Sequence, residues 1–94
     1  MISYWVESDE DIGYSVTCED GDTIKTSVVA GKGYENRRLA YHLCSYLIST
    51  QLLQTGKVFA VIPHHFYRHK DYLLCAQKEG RIAEDLVDLT WEVV

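Results

Sequence analysis

The stretch VIPHHFYRHKDY, residues 61–72, carries three of the chain's four histidines and its only proline. His65 and His69 stand at i and i+4, the spacing that sets two imidazoles on one helix face. His64 adjoins them and Asp71 follows. Zinc chemistry at such a pair needs a third protein ligand, and a zincin also needs the glutamate of HExxH. Here the order is His-Phe-Tyr-Arg-His, with Arg68 and Lys70 inside the cluster, where they would repel a cation. His64, His65 and His69 are therefore the candidate metal ligands, but the spacing favours exposed polar residues at a helix start. No metal and no cofactor is expected. A Cys–His nucleophile is disfavoured too. Cys18, Cys44 and Cys75 each sit among apolar neighbours, where a thiol is ordinarily an inert core residue. His42 reads as a rim residue of a first helix.

A second cluster precedes that helix. GKGYENRR, residues 31–38, has the look of an anion-binding loop but neither the GxGxxG nor the P-loop spacing. Tyr34, Arg37, Arg38, Tyr67, Arg68 and Lys70 interleave cations with aromatic rings, as single-strand binders do. Charge is segregated to match. Residues 1–24 carry seven acids and no base, residues 25–80 eight bases and three acids, and residues 81–94 four acids and one base. The blocks of −7, +5 and −3 return the net charge of −5. An isoelectric point near 5.2 argues against a dedicated nucleic-acid domain, so single-strand binding is the alternative rather than the leading reading.

The elements that must position these residues follow from periodicity. ISYWVES is β-branched and aromatic and reads as a strand. GYSVTC alternates, with Tyr14, Val16 and Cys18 on one face, and the Asp-Gly of EDGD signals a hairpin into TIKTSVVA. There Ile24, Thr26 and Val28 share a face. From Glu35 to Gln54 the period becomes 3.6, with Leu39, Leu43, Tyr46, Leu47 and Leu53 on one side and Gly56 as a C-terminal cap. Tyr41, Ile48 and Leu52, extended by Cys44, form a second apolar stripe nearly opposite. Two stripes on one helix mean that something covers the far side, either a second helix or a partner. KVFAVI, residues 57–62, reads as a strand buried on both faces. A second helix over 65–79 uses Phe66, Leu73, Leu74 and Ala76 and stops at Gly80, although DYLLCAQ would also suit a strand. LVDLTWEVV alternates Val87, Leu89, Trp91 and Val93 with polar residues and reads as a last strand.

The fold class expected is α+β, β-β-β-α-β-α-β, a mixed five-stranded sheet with two helices. That order resembles ribonuclease H-like domains. The resemblance would imply carboxylates on the first strand, in the first helix and after the fourth strand, holding two divalent metals. Glu7 and Glu35 occupy the first two places, but the fourth strand ends VIPHH, so nuclease activity is not expected. DEDIGYSV with the third strand and helix, residues 3–50, resembles the opening of HicB-type antitoxin domains. CEDGDT stands where those have a Pro-Gly, the helix is Arg-Tyr-Leu-rich rather than Ala/Glu-rich, and no separate DNA-binding segment is recognised. The resemblance implies a small, non-catalytic, partner-binding domain.

Ninety-four residues, 47% apolar and 12% aromatic, suit one globular domain over 1–94 with a modest core. There is no apolar run of about 18 residues for a membrane span, and the start of the chain lacks a secretory pattern. An odd number of dispersed cysteines suits a reducing cytoplasm. The reading is a non-enzymatic cytoplasmic binding protein, an inhibitor or antitoxin-like regulator of the phage or mobile-element type. It would act on another protein, or form a homodimer, through Tyr41, Cys44, Ile48 and Leu52. The alternatives are the single-strand binder and a His-cluster metal binder.

Overall fold

A computed structural model describes residues 2–55, 63–84 and 86–93 of the protein. It is a small α+β domain with two helices. Three strands, β1 (Ile2–Asp9), β2 (Gly13–Asp20) and β3 (Thr23–Gly31), form the expected antiparallel meander in the order β1-β2-β3. The Asp-Gly hairpin falls where the alternation breaks, with Gly21 at φ 61°. The β1–β2 register is regular, from Ile2 opposite Asp20 to Asp9 opposite Gly13. The β2–β3 register shifts twice, between Tyr14 and Ser15 and between Val16 and Thr17, so simple alternation does not run along β3. Ile24, near the hairpin end of β3, is 68% exposed. Gly13 is required by close approach: at φ 87°, an added Cβ would lie 2.2 Å from the Gly31 carbonyl carbon.

Helix α1 (Tyr34–Gln54) lies across the sheet, burying Leu39, Leu43 and Tyr46 as the periodicity required. Val16 on the central strand joins them in the core, with Tyr4, Val6 and Tyr14 packed at its edge. Helix α2 (Pro63–Lys78) then packs on α1, the one described element that its backbone approaches. The DYLLCAQ stretch is thus helical. Its end is a Schellman motif: Gly80 at φ 74° donates to Gln77 O and Arg81 to Ala76 O. The pairs Tyr46–Phe66, His42–His69 and Arg38–Tyr72 run in opposite senses along the two helices, which are therefore antiparallel. At the far end the Arg81 guanidinium donates to Glu35 O and Asn36 Oδ1.

Three expectations need correction. Residues 86–93 alternate as a strand would, yet they join no ladder. They strap across the helices instead. Val87 is buried, and Leu89, Trp91 and Val93 pack against the core. Backbone groups of the strap are taken by side chains: Tyr46 donates to Asp88 O, Lys70 to Trp91 O, and Tyr67 both donates to and accepts from Val93. A period of two needs only one wet and one dry side, and helix surfaces supply the dry side as well as a sheet does. Second, Cys75 is exposed, because Phe66, Leu73 and Ala76 take the buried face of α2. Third, the mixed five-stranded sheet is not present among the described residues, where the strands number three. The strand expected at 57–62 and the cap at Gly56 lie outside the described residues. No helix among those described is long and apolar enough to cross a membrane.

Candidate functional site

The residues of greatest chemical interest meet on the outer side of α1. Tyr34, Arg37, Arg38, Tyr41, His42 and Ser45 of α1, with His69 of α2, line a cleft of about 290 Å³. Tyr34 is 71% and Tyr41 51% exposed. Both positions lie away from the sheet by helical phase, one heptad apart, and Ile48 continues the line at 41% exposure. From Tyr34 to Ile48, fourteen steps along the helix, the stripe runs roughly 21 Å. Leu52 is half-buried against the core. Cys44 does not extend the stripe; it is buried, and burial pushes its thiol up from the ordinary range. The second stripe is therefore divided. Helix α2 covers the flank bearing His42, and Tyr41 and Ile48 stay open.

The cationic residues separate into two groups. The Arg37 guanidinium sits 5.5 Å from the Tyr41 ring centre and that of Arg38 5.4 Å from Tyr72. Arg68, exposed on α2, adds its charge beside both histidines of the cleft. Tyr67 and Lys70 do not join them: they hold the strap, with Lys70 Nζ 2.9 Å from Trp91 O and 5.9 Å from the Tyr67 ring. The two basic clusters do not meet helix start to helix start, because the helices are antiparallel. Arg38 and Arg68 are brought together instead through His42, which lies within reach of both charges.

Between the arginines lies a pair that spacing alone did not bring together. His42 Nδ1 and His69 Nδ1 are 2.8 Å apart, and His42 stacks on Tyr72 with ring centres 4.0 Å apart. At that distance one Nδ1 carries a hydrogen and the other accepts it. Burial, then the charges of His69, Arg38 and Arg68, hold the His42 pKa down to about 4. Burial, then Arg68 and His65, lower that of His69. Every charged neighbour in both sets is cationic. Finding this pair from sequence would have required knowing the helix alignment; the only local signal is that His69 and Tyr72, at i and i+3, share a face of α2.

The remaining site residues are dispersed. His64 and His65 are exposed, with ring centres 5.7 Å apart, and His69 turns from them towards α1. Among the described residues, no three His, Cys, Asp or Glu side chains group closely enough to hold a metal ion. Glu7 accepts the Trp5 indole N–H on β1, and Glu35 lends only its carbonyl to Arg81. What the cleft can do chemically is bind an anion beside an aromatic or apolar group. No family model, curated protein or solved structure matches the chain.

Proposed function

We propose that the protein is a non-enzymatic binding module that masks or titrates another protein, in the manner of an inhibitor or antitoxin, through the outer side of α1. The observation that carries this reading is the pairing of unneutralised arginines with an open apolar line. The chain has fourteen acids, yet the sole ion pair among the described residues is Arg81–Glu79, at 3.9 Å. Arg37, Arg38 and Arg68 have no ion-pair partner among the described residues, which suits an acidic partner. Tyr34, Tyr41 and Ile48 supply the apolar line beside them. Rings and arginines at the centre of a patch are the side chains that dominate protein interfaces. The partner segment that fits is acidic, amphipathic and short, matched to the line from Tyr34 to Ile48.

Ile48→Glu tests the reading. Ile48 is 41% exposed, so the variant folds, with unchanged circular dichroism. It is expected to lose the protein partner, or the second copy of the chain, in tagged recovery from native cytosol and in light scattering. Recovery after nuclease treatment separates protein from nucleic-acid binding. Unchanged mass and unchanged partner recovery, or recovery abolished by nuclease, would sink the proposal.

A further inference from the structure

The hydrogen bond between His42 and His69 has a consequence for what the cleft accepts. With Nδ1 bonded to Nδ1, each ring keeps Nε2 free of that bond. In the neutral pair the donor ring carries its hydrogen on Nδ1, so its Nε2 is a bare lone pair. The acceptor ring has the opposite tautomer, with hydrogen on Nε2. In the neutral pair, therefore, one Nε2 is a donor and the other a lone pair that would repel an oxyanion. One added proton, on the bare Nε2, converts the pair to an imidazolium bonded to an imidazole. The 2.8 Å bond survives, and both Nε2 atoms become donors. A second proton would place hydrogens on both Nδ1 atoms and break the pair. The site takes up one proton and no more.

The surroundings oppose that proton in the empty cleft. From α1, Arg38 faces the pair; from α2, Arg68 and His65 do, with Tyr72 stacked beneath His42. The Tyr72 hydroxyl is enclosed and has no hydrogen-bond partner among the described residues. Ser45 supplies a further hydroxyl to the cleft lining. No carboxylate lies in the set. An oxyanion would reverse the local field, and the proton would then be welcome.

We infer that Arg38, His42 and His69 form a proton-linked oxyanion site, in which an acidic side chain of the docking partner enters the cleft together with one proton. This rests on the docking reading for its source of the anion. By reciprocity, the anion raises the pair's affinity for the proton and the proton raises affinity for the anion by the same factor. Docking is then tighter in a mildly acidic medium than in a neutral one.

The test needs no partner. Sulfate keeps a constant charge across the histidine range, so the full chain is titrated with sulfate at about pH 5 and about pH 7.5, following the His42 and His69 ring signals by NMR. Saturable binding, tighter by about fivefold or more at the lower pH, is expected. Arg38→Gln, an exposed position, weakens it at both. His69→Gln keeps a hydrogen-bonding neighbour for His42 and flattens the pH dependence. A hexa-aspartate peptide that displaces sulfate identifies side-chain carboxylates as the ligand; failure to displace it assigns the same site to a free small oxyanion. No saturable shift, or equal affinity at the two pH values in the wild type, overturns the inference. Neither result touches Ile48→Glu, so the failure of this site and the failure of the docking reading are told apart.

Discussion

His42 lies between a ring that it stacks on and charges that repel its proton, and its effect on stability follows from that position. Its folded pKa of about 4 is below the ordinary 6.5. Between those values the unfolded chain holds a proton that the folded chain refuses. Stability therefore rises with pH across that window and falls as pH is lowered through it. His69 is shifted in the same direction. Asp88, kept below its ordinary 3.8 by the hydroxyl and amide of Thr90, adds a loss of its own only at still lower pH. His42→Phe retains a ring over Tyr72 and has no proton to refuse. Denaturant unfolding from pH 7 down to about 4.5 should show a steeper loss in the wild type than in His42→Phe; parallel profiles would mean that His42 is protonated in the folded chain. Few of these site residues could be read as a set. Tyr41 and Ile48 were marked by helical phase and are open. Cys44 stands about 60° round the helix from Tyr41 and is buried beside Tyr4 of β1, because phase gives a direction but not how far the sheet reaches round the helix.

The elements show where periodicity suffices and where it does not. The meander and both helices could be read because their signals are local: an Asp-Gly turn, a change of period at Glu35, and glycines at Gly31, Gly33 and Gly80. The strap could not, because pairing partners decide whether an alternating segment becomes a strand. Its attachment depends on few groups. Tyr67 Oη stands 3.2 Å from Val93 O and 3.0 Å from Val93 N, taking both backbone groups of one residue. Tyr67→Phe removes both bonds and keeps the ring against Phe66, 5.3 Å away. It should cost about 1 to 2 kcal/mol in denaturant unfolding. The Val93 amide, whose partner among the described residues is that hydroxyl, should exchange with solvent much faster. Unaltered exchange at Val93 would show that the strap is held by its apolar side chains and not by these bonds.

At the scale of the whole molecule, segregated charge sets what the protein can hold. The first 24 residues carry −7, and most of those acids lie on β1, β2 and their turns. The sheet lies on one side of α1, with the arginines of the cleft on the other. A long polyanion reaching across the cleft would soon meet an acidic surface. A short acidic segment would not, and Arg37 and Arg38 in the cleft, with Arg68 beside its histidines, suit its length. That difference is measurable. Single-stranded nucleic acid releases counterions in proportion to the phosphates neutralised, with log K falling by about 0.7 per contact against log salt. Three arginines can therefore give a slope no steeper than about −2, with weak binding at physiological salt. Fluorescence anisotropy with a labelled oligonucleotide over a salt series gives the slope, and replacing Arg37, Arg38 and Arg68 together by Gln should bring it close to zero. A slope well beyond −2 would require further cations on the strand's path. Affinity resistant to salt would require stacking on Tyr34 and Tyr41. Either result would favour nucleic acid over an acidic protein segment as the occupant of this face.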